Sequence, residues 1–310
     1  MSHSIAIIGA QTLIGNEILN CLSEQETDYK SIHVLTPKRQ TGKAVSFGDK
    51  DLETVDQEEF DYKSVDIAFY AGDIHGSDSL IETILKSGAK VIDCTGSNFL
   101  KDITNDNLVA MPSPRSLILS SVLKPLIKRA PIKRICITTL EAASGEGKDG
   151  MDELFNQCRK FFVSDGMDNN VFAKQIAFNV IPQIEDLIDN GQTTSENQFS
   201  NEMKKLLGDI SLSSTCISVP VFIGHGMSVN VEFHNEMDAK TARNIWQERD
   251  HLLIIDRESE MKFVTPIEIA GEDSVFLSRV RNDSTLDHGL SFWCVADNVR
   301  FVALQAISNI

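Results

Sequence analysis

The chain has 310 residues, of which 42% are hydrophobic and 24% charged, a composition typical of a water-soluble globular protein with a large core. Its formal net charge of -16 argues against nucleic acid and anionic membranes as partners, because both are polyanions that need a basic surface. No apolar run approaches the roughly 18 residues that cross a bilayer, and the first residues, MSHSIAIIGA, indicate a strand rather than a signal peptide.

The first part of the chain alternates short apolar runs with amphipathic stretches. This alternation predicts an α/β fold with a doubly wound, Rossmann-type parallel sheet, which we place at residues 1–123. The predicted strands are Ser4 to Ile8, Ser31 to Thr36, Asp66 to Tyr70 and Lys90 to Asp93, and the predicted helices are Leu13 to Leu22 and Ser77 to Leu85.

After Lys124 the pattern changes to longer strands with fewer crossovers. It predicts a second α+β domain, residues 124–296, whose mostly antiparallel sheet has helices on one face. We interpret the polar stretch from Asn190 to Ser200 as an exposed loop. The predicted strands are Ile132 to Leu140, Ser214 to Phe222, Met227 to Phe233, Ser274 to Arg281 and Leu290 to Ala296; the helices are Met151 to Lys160, Asn201 to Leu207 and Ala239 to Gln247.

The six cysteines are scattered, without the spacing of a metal site or of a CxxC motif. We expect reduced thiols in a cytoplasmic protein and no bound metal.

The segment IAIIGAQTLIGNEIL places Gly9 and Gly15 between a strand and a helix, where glycines let a backbone approach a pyrophosphate. Thr12 stands where the middle glycine of a dinucleotide fingerprint would fall. The second predicted strand ends in LTPKRQTGK, with basic residues instead of the acidic residue that binds a ribose hydroxyl. This suits a 2'-phosphate and so favours NADP over NAD, and we assign Arg39 and Thr41 to cofactor binding. A turn without ligand and a solvated basic loop are the alternative interpretations.

Several long motifs in one order resemble the aspartate-semialdehyde dehydrogenase family over nearly the whole chain. These motifs are VIDCTG (91–96), LKPL (123–126), IKRICITTLEAASGEGKDGMDEL (132–154), QIAFNVIP (175–182), NEMKKLLGD (201–209), SVPVFIGHGMSVNVEF (218–233) and WCVADNVRF (293–301). The resemblance implies NADP(H) chemistry through a cysteine nucleophile, a histidine acid and base, an orienting glutamine, and basic residues that hold carboxylate and phosphate.

Four of these chemical positions are altered. The nucleophile's segment, NPNC in active members, reads MPSP, so that Pro114 replaces the cysteine. The glutamine becomes Glu141, whose charge we expect to repel an acidic substrate, and the carboxylate-binding arginine becomes Ser218. The phosphate-binding arginine falls near Leu100 or Lys101. We do not expect another side chain to replace the missing thiol as the nucleophile, because none of the candidates lies where a neighbouring group would activate it. These candidates are Cys94, Cys136, Cys216, Ser113 and Ser116.

Other positions match the family pattern. His225 holds the acid and base position, although a histidine beside a strand turn is more often a structural hydrogen-bonding group. Glu202 and Lys205 keep the substrate-binding helix, although an i,i+3 pair can also bind each other. The cofactor positions that the resemblance implies are Gly9, Gln11, Thr12, Leu13, Arg39, Thr41, Ser144, Gly145 and Asn298. It also implies a homodimer, and a C-terminal return of residues 297–310 to the first domain as a closing helix.

Three hypotheses follow. The first is a Usg-type paralogue, a pseudoenzyme that keeps the fold and binds a small molecule or a partner protein. The second is an NADP-dependent dehydrogenase with altered mechanism or substrate. The third is a structural dimer without cofactor.

Overall fold

A computed structural model describes residues 2–25, 29–74, 77–101, 105–163, 166, 168–256 and 263–310. The chain forms two compact units, unit 1 with residues 1–113 and 302–310, and unit 2 with residues 114–301. The predicted boundary at 123/124 lies inside a helix that packs within unit 2.

Unit 1 contains a six-stranded, all-parallel sheet, which confirms the predicted Rossmann-type architecture. Its elements are β1 (Ser4–Ile8), α1 (Leu13–Glu24), β2 (Ser31–Thr36), β3 (Ala44–Phe47), β4 (Lys50–Glu53), β5 (Val55–Asp56), β6 (Ile67–Tyr70), α2 (Ser77–Lys86), β7 (Lys90–Asp93) and β8 (Leu108–Ala110). The strand order is β5-β2-β1-β6-β7-β8, and β3 and β4 form a separate hairpin. The order reverses between β1 and β6, so the carboxyl end of β1 lies where such sheets bind ligands.

Unit 2 contains a mixed six-stranded sheet in the order β10-β9-β11-β14-β13-β12. Three neighbouring pairs are antiparallel, and the edge pairs β9/β10 and β12/β13 are parallel. Its elements are α3 (Pro114–Ile127), β9 (Ile132–Glu141), α4 (Gly147–Phe162), α5 (Thr194–Leu207), β10 (Ser211–Ser218), β11 (His225–Phe233), α6 (Ala239–Gln247), β12 (Leu252–Ile254), β13 (Val275–Asn282) and β14 (Gly289–Ala296). The last helix, α7 (Arg300–Ile307), belongs to unit 1 from Val302 onward.

The main core of unit 2 lies between its sheet and the helices α3, α5 and α6. Strand β9 alternates, so that Ile135, Ile137, Thr139 and Glu141 share the buried face. Glu141 is therefore the last residue of a strand whose preceding positions carry core side chains. The alternation brings a charged group into an otherwise apolar layer.

Several segments differ from the sequence-based prediction, among them the short strands β3, β4, β5, β8 and β12, which were not predicted. Helix α3 was not predicted, because it is buried on most sides and lacks an amphipathic pattern. The stretch 190–200 is not a loop throughout: α5 begins at Thr194, since Thr193 and Glu196 form a capping box. Strand β10 ends at Ser218 rather than Phe222, where Pro220 offers no amide for a ladder.

Candidate functional site

The turn after β1 requires both of its glycines for packing. Gly9 has φ +79°, and a Cβ there would lie 2.6 Å from the carbonyl oxygen of Ala71. A Cβ on Gly15 would lie 2.2 Å from the carbonyl oxygen of Gly9. Because Gly9 and Gly15 lack a side chain, the first turn of α1 can pack closely against β1, whether or not a nucleotide is bound.

Thr12 is the N-cap of α1 and uses its hydroxyl inside the turn. Its Oγ1 accepts a hydrogen bond from the amide of Gly15 at 3.0 Å and donates to the carbonyl oxygen of Ala71 at 3.0 Å. Helix geometry leaves the amides of Leu13 and Ile14 without an intrahelical acceptor. These amides and the helix dipole suit an anion such as a phosphate.

The basic turn after β2 is a single 3-10 turn, residues 38–40. Lys38 pairs with Glu59 at 3.0 Å, whereas Arg39 is exposed. Thr41 Oγ1 donates to the carbonyl oxygen of Lys38, and Gln11 Nε2 approaches the carbonyl oxygen of Gln40 at 3.5 Å. The structure thus brings Gln11 and the predicted 2'-phosphate residues to one edge of unit 1.

The positions near the expected phosphate-binding arginine are occupied differently. Leu100 is exposed, and Lys101 Nζ donates to both carboxylate oxygens of Asp78, at 2.9 and 2.8 Å. This lysine is therefore already paired within unit 1.

Pro114 is the first residue of α3, a position that suits proline because the missing amide would have no intrahelical acceptor. The next residue, Arg115, is buried. Its Nη1 donates to both carboxylate oxygens of Glu141, at 3.2 and 3.1 Å, and its Nη2 donates to the carbonyl oxygen of Ser195 at 3.2 Å. The guanidinium also lies over the ring of Phe199, 5.6 Å from its centroid.

Glu141 is held as a carboxylate. Burial alone would favour its neutral form, but the charge of Arg115 and hydrogen bonds from Thr139 and Arg115 lower its pKa below the ordinary value. Burial opposes the charge on Arg115 as well, but Glu141, with smaller effects from Cys216 and Glu202, outweighs it, so that the pKa of Arg115 is raised. We expected Glu141 to repel an anion; the ion pair instead offsets much of its charge.

His225 begins β11 and is buried. Its Nδ1 accepts a hydrogen bond from the amide of Ala142 at 3.1 Å, which places the proton of the neutral ring on Nε2. Burial lowers the pKa of His225 to about 4. The charge of Glu141 acts to raise this pKa, and the charge of Arg115 acts to lower it. The imidazole is therefore neutral near pH 7, and its Nε2, 4.0 Å from Glu141, faces that carboxylate without an ion pair.

Three further family positions of unit 2 are Glu202, Lys205 and Ser218. Glu202 is fully buried in α5 and accepts from Gln198 Nε2 at 2.8 Å, whereas Lys205 is exposed. Ser218 is buried and lies beside Glu141, its register partner in the neighbouring strand. The structure thus places Ser218 next to the ion pair.

The predicted cofactor positions Ser144, Gly145 and Asn298 all belong to unit 2. Asn298 Oδ1 accepts from Ser144 Oγ at 2.9 Å and from the amide of Gly224 at 3.0 Å. Gly145 packs on the imidazole of His225, because a Cβ there would lie 3.3 Å from the ring. Its missing side chain thus allows the 3-10 turn 143–146 to approach His225.

The candidate replacement nucleophiles are unactivated. Burial raises the pKa of Cys94, and it raises the pKa of Cys216, which lies near Glu141, to about 12. Cys136 is half-buried in β9. Ser113 and Ser116 are both buried.

Arg115 is the functional residue that the sequence reasoning missed. It directly follows Pro114, and a signal was present: a glutamate at the end of a buried strand requires a cation. Its partner was not evident, because the two residues lie far apart in the chain and α3 was not predicted.

Comparison with known proteins agrees with this architecture. The family described as semialdehyde dehydrogenase, NAD binding domain, matches residues 4–130, and the semialdehyde dehydrogenase dimerisation domain matches residues 123–301. An aspartate-semialdehyde dehydrogenase of Rickettsia bellii is 34% identical, over 96% of this chain and 93% of its own length. The chain belongs to the aspartate-semialdehyde dehydrogenase family.

Solved structures of the family share the fold over its whole length. Aspartate semialdehyde dehydrogenase II from Vibrio cholerae, complexed with ASA, has a TM-score of 0.94 at 31% identity and covers 99% of this chain and 98% of its own. The enzyme from Candida albicans, solved with NADP, has a TM-score of 0.74 at 15% identity, over 99% of this chain and 98% of its own, a likeness of fold alone.

Among the described residues, no helix is both long and apolar enough to traverse a membrane. The same part of the chain contains no group of three or more histidine, cysteine or acidic residues placed to hold a metal ion.

Proposed function

We propose that this chain is a Usg-type paralogue of aspartate-semialdehyde dehydrogenase, a cytoplasmic protein that keeps the family fold and does not carry out the thiol-dependent reaction. The observation that carries this proposal is Pro114 with its neighbour Arg115. Where the resemblance implies a thiol and an amide, unit 2 has a proline ring and a buried ion pair between Arg115 and Glu141.

The chemistry of the alternatives supports this conclusion. Covalent catalysis needs an atom that attacks a carbonyl, and proline has none. Cys216, the thiol near the ion pair, has its pKa raised to about 12 by burial, so almost no thiolate exists near pH 7. His225 can accept a proton only at Nδ1, which already accepts the amide of Ala142.

We propose that unit 1 still binds NADP. The amides at the start of α1 and the turn at Gly9 would hold the pyrophosphate, and Arg39 with Thr41 would hold the 2'-phosphate. The bound cofactor would supply a hydride acceptor or donor.

Fluorescence titration with NADPH tests this binding. We expect saturable binding that weakens at least about tenfold in Arg39→Ala, because one charge-assisted phosphate contact is worth about 1.5–3 kcal/mol. Lys43→Ala is the matched control, since it removes a charge from the same basic stretch beyond the 3-10 turn. The absence of saturation in the wild-type protein would favour the structural dimer without cofactor.

The alternative function is an NADP-dependent semialdehyde dehydrogenase with a changed mechanism or substrate. The presence of His225, Glu202 and Lys205 favours it, as does the 34% identity to a named dehydrogenase. Phosphate-dependent NADP reduction with aspartate semialdehyde decides between the two. Turnover above background that disappears in His225→Ala would establish the enzyme.

We also propose a homodimer formed through unit 2, in which the family's dimerisation domain lies. Three exposed aromatic rings pack together: Phe178 lies 4.8 Å from Phe161 and 5.8 Å from Phe162, between ring centroids. Phe162 is 76% exposed, and Phe178 takes a strained φ of 61°. Exposed apolar clusters of this kind mark protein interfaces.

Sedimentation of Phe162→Ser tests this interface. An exposed side chain contributes little to the fold of one protomer, so we expect dissociation to monomers at micromolar concentration with an unchanged circular dichroism spectrum. Leu253→Ser, an exposed apolar residue of the edge strand β12, is the control and should leave the dimer intact. A monomeric wild-type protein would contradict the proposal.

A further inference from the structure

The carboxylate of Glu141 is surrounded by donors. Arg115 Nη1 donates to both of its oxygens, and Thr139 Oγ1 donates to Oε1 at 2.9 Å. His225 Nε2, which carries the ring proton, faces Oε2 at 4.0 Å. A guanidinium, a hydroxyl and an imidazole N–H around one carboxylate are the groups that proteins use to bind a carboxylate ligand.

One N–H group of the Arg115 guanidinium takes no part in these hydrogen bonds. Arg115 Nε is buried and has no acceptor among the described residues, and the same is true of the hydroxyl of Ser195. The carbonyl of Ser195 accepts from Arg115 Nη2, so both unpartnered groups belong to residues in direct contact. A buried N–H without an acceptor is costly, so the chain does not fully satisfy the Arg115 guanidinium.

We propose that Arg115 and Thr139, with His225 beside them, form a carboxylate-binding site that Glu141 occupies in place of a ligand. The inference rests on the proposed loss of the dehydrogenase reaction, because it takes the Glu141 carboxylate to be the group that occupies the altered site. A tethered carboxylate competes with free ligand as an intramolecular group and therefore at high effective concentration. Small carboxylates consequently do not bind the wild-type protein at this site.

Removing the tethered carboxylate opens the site. In Glu141→Ala we expect a lowered melting temperature, because Arg115 loses its counterion. Acetate or propionate should then raise that melting temperature by several degrees in a saturable manner, relative to chloride at equal ionic strength, since a ligand that binds only the folded state stabilises it. The wild-type protein should show no such difference between the salts.

The double variant Arg115→Met with Glu141→Ala is the control, because it lacks both the unpaired charge and the guanidinium. It should not distinguish acetate from chloride. If Glu141→Ala does not fold in chloride, refolding yield becomes the measurement, and acetate must restore it. Equal responses to acetate and chloride, or the same acetate response in the double variant, would overturn the proposal.

This experiment contains neither NADP nor aldehyde. Its failure therefore leaves the proposed function standing, whereas turnover in the dehydrogenase assay would overturn the proposed function without changing the result of the acetate experiment.

Discussion

The nucleotide turn of unit 1 and the altered site of unit 2 differ in the contacts that account for their residues. In the turn, Gly9 and Gly15 are fixed by backbone contacts that any other residue would break, so they would be kept even without a nucleotide. In unit 2, Pro114 begins α3, and the next residue, Arg115, forms a buried ion pair with Glu141. The difference teaches that the glycines are explained by packing alone, so the proposed loss of the reaction has to be judged from the residues of the altered site.

The largest expected effect comes from breaking the buried pair. Arg115→Met should lower the free energy of unfolding by about 3–5 kcal/mol, because Glu141 is left charged and buried without a cation. Urea denaturation measures it. The double variant Arg115→Met with Glu141→Gln should recover most of the loss. If Arg115→Met lowers the free energy of unfolding by less than about 1 kcal/mol, the ion pair is not important for the stability of the site.

A second effect is the pH dependence that His225 confers. Its pKa is about 4 in the folded protein and near 6.5 when unfolded, so below pH 6.5 the unfolded state binds the additional proton. Stability should fall as pH decreases from 6.5 to 4, by up to about 3 kcal/mol. In His225→Gln this part of the slope should disappear from urea denaturation curves. An unchanged slope would place the titration in another group.

A smaller effect distinguishes capping from cofactor binding in the turn. Thr12→Ala should cost about 1 kcal/mol, because the cap of α1 is lost, whereas Thr12→Gly should cost only a few tenths. Thermal unfolding measures both. If NADPH affinity also rises in Thr12→Gly, the threonine side chain crowds the phosphates; equal affinity would show that its inward-facing hydroxyl leaves them room.

Much of the fold could be predicted from the sequence, because the parallel strands of unit 1 are short apolar runs such as Ser4–Ile8, bounded by glycines and polar residues. Helix α3 could not, since burial on most sides removes periodicity. In the site, the losses at Pro114 and Glu141 were visible by alignment. The pairing of Glu141 with Arg115 was not, because it depends on a contact between residues that are 26 positions apart in the chain.

The central claim is that the scaffold has been kept without the reaction. Its most direct test measures phosphate-dependent NADP reduction with aspartate semialdehyde, on this protein and on the Vibrio cholerae enzyme at equal concentration. The account predicts a rate at least about 10⁴-fold lower here, since losing a covalent nucleophile removes that much or more. Rates within about a hundredfold of each other, abolished by His225→Ala, would contradict it.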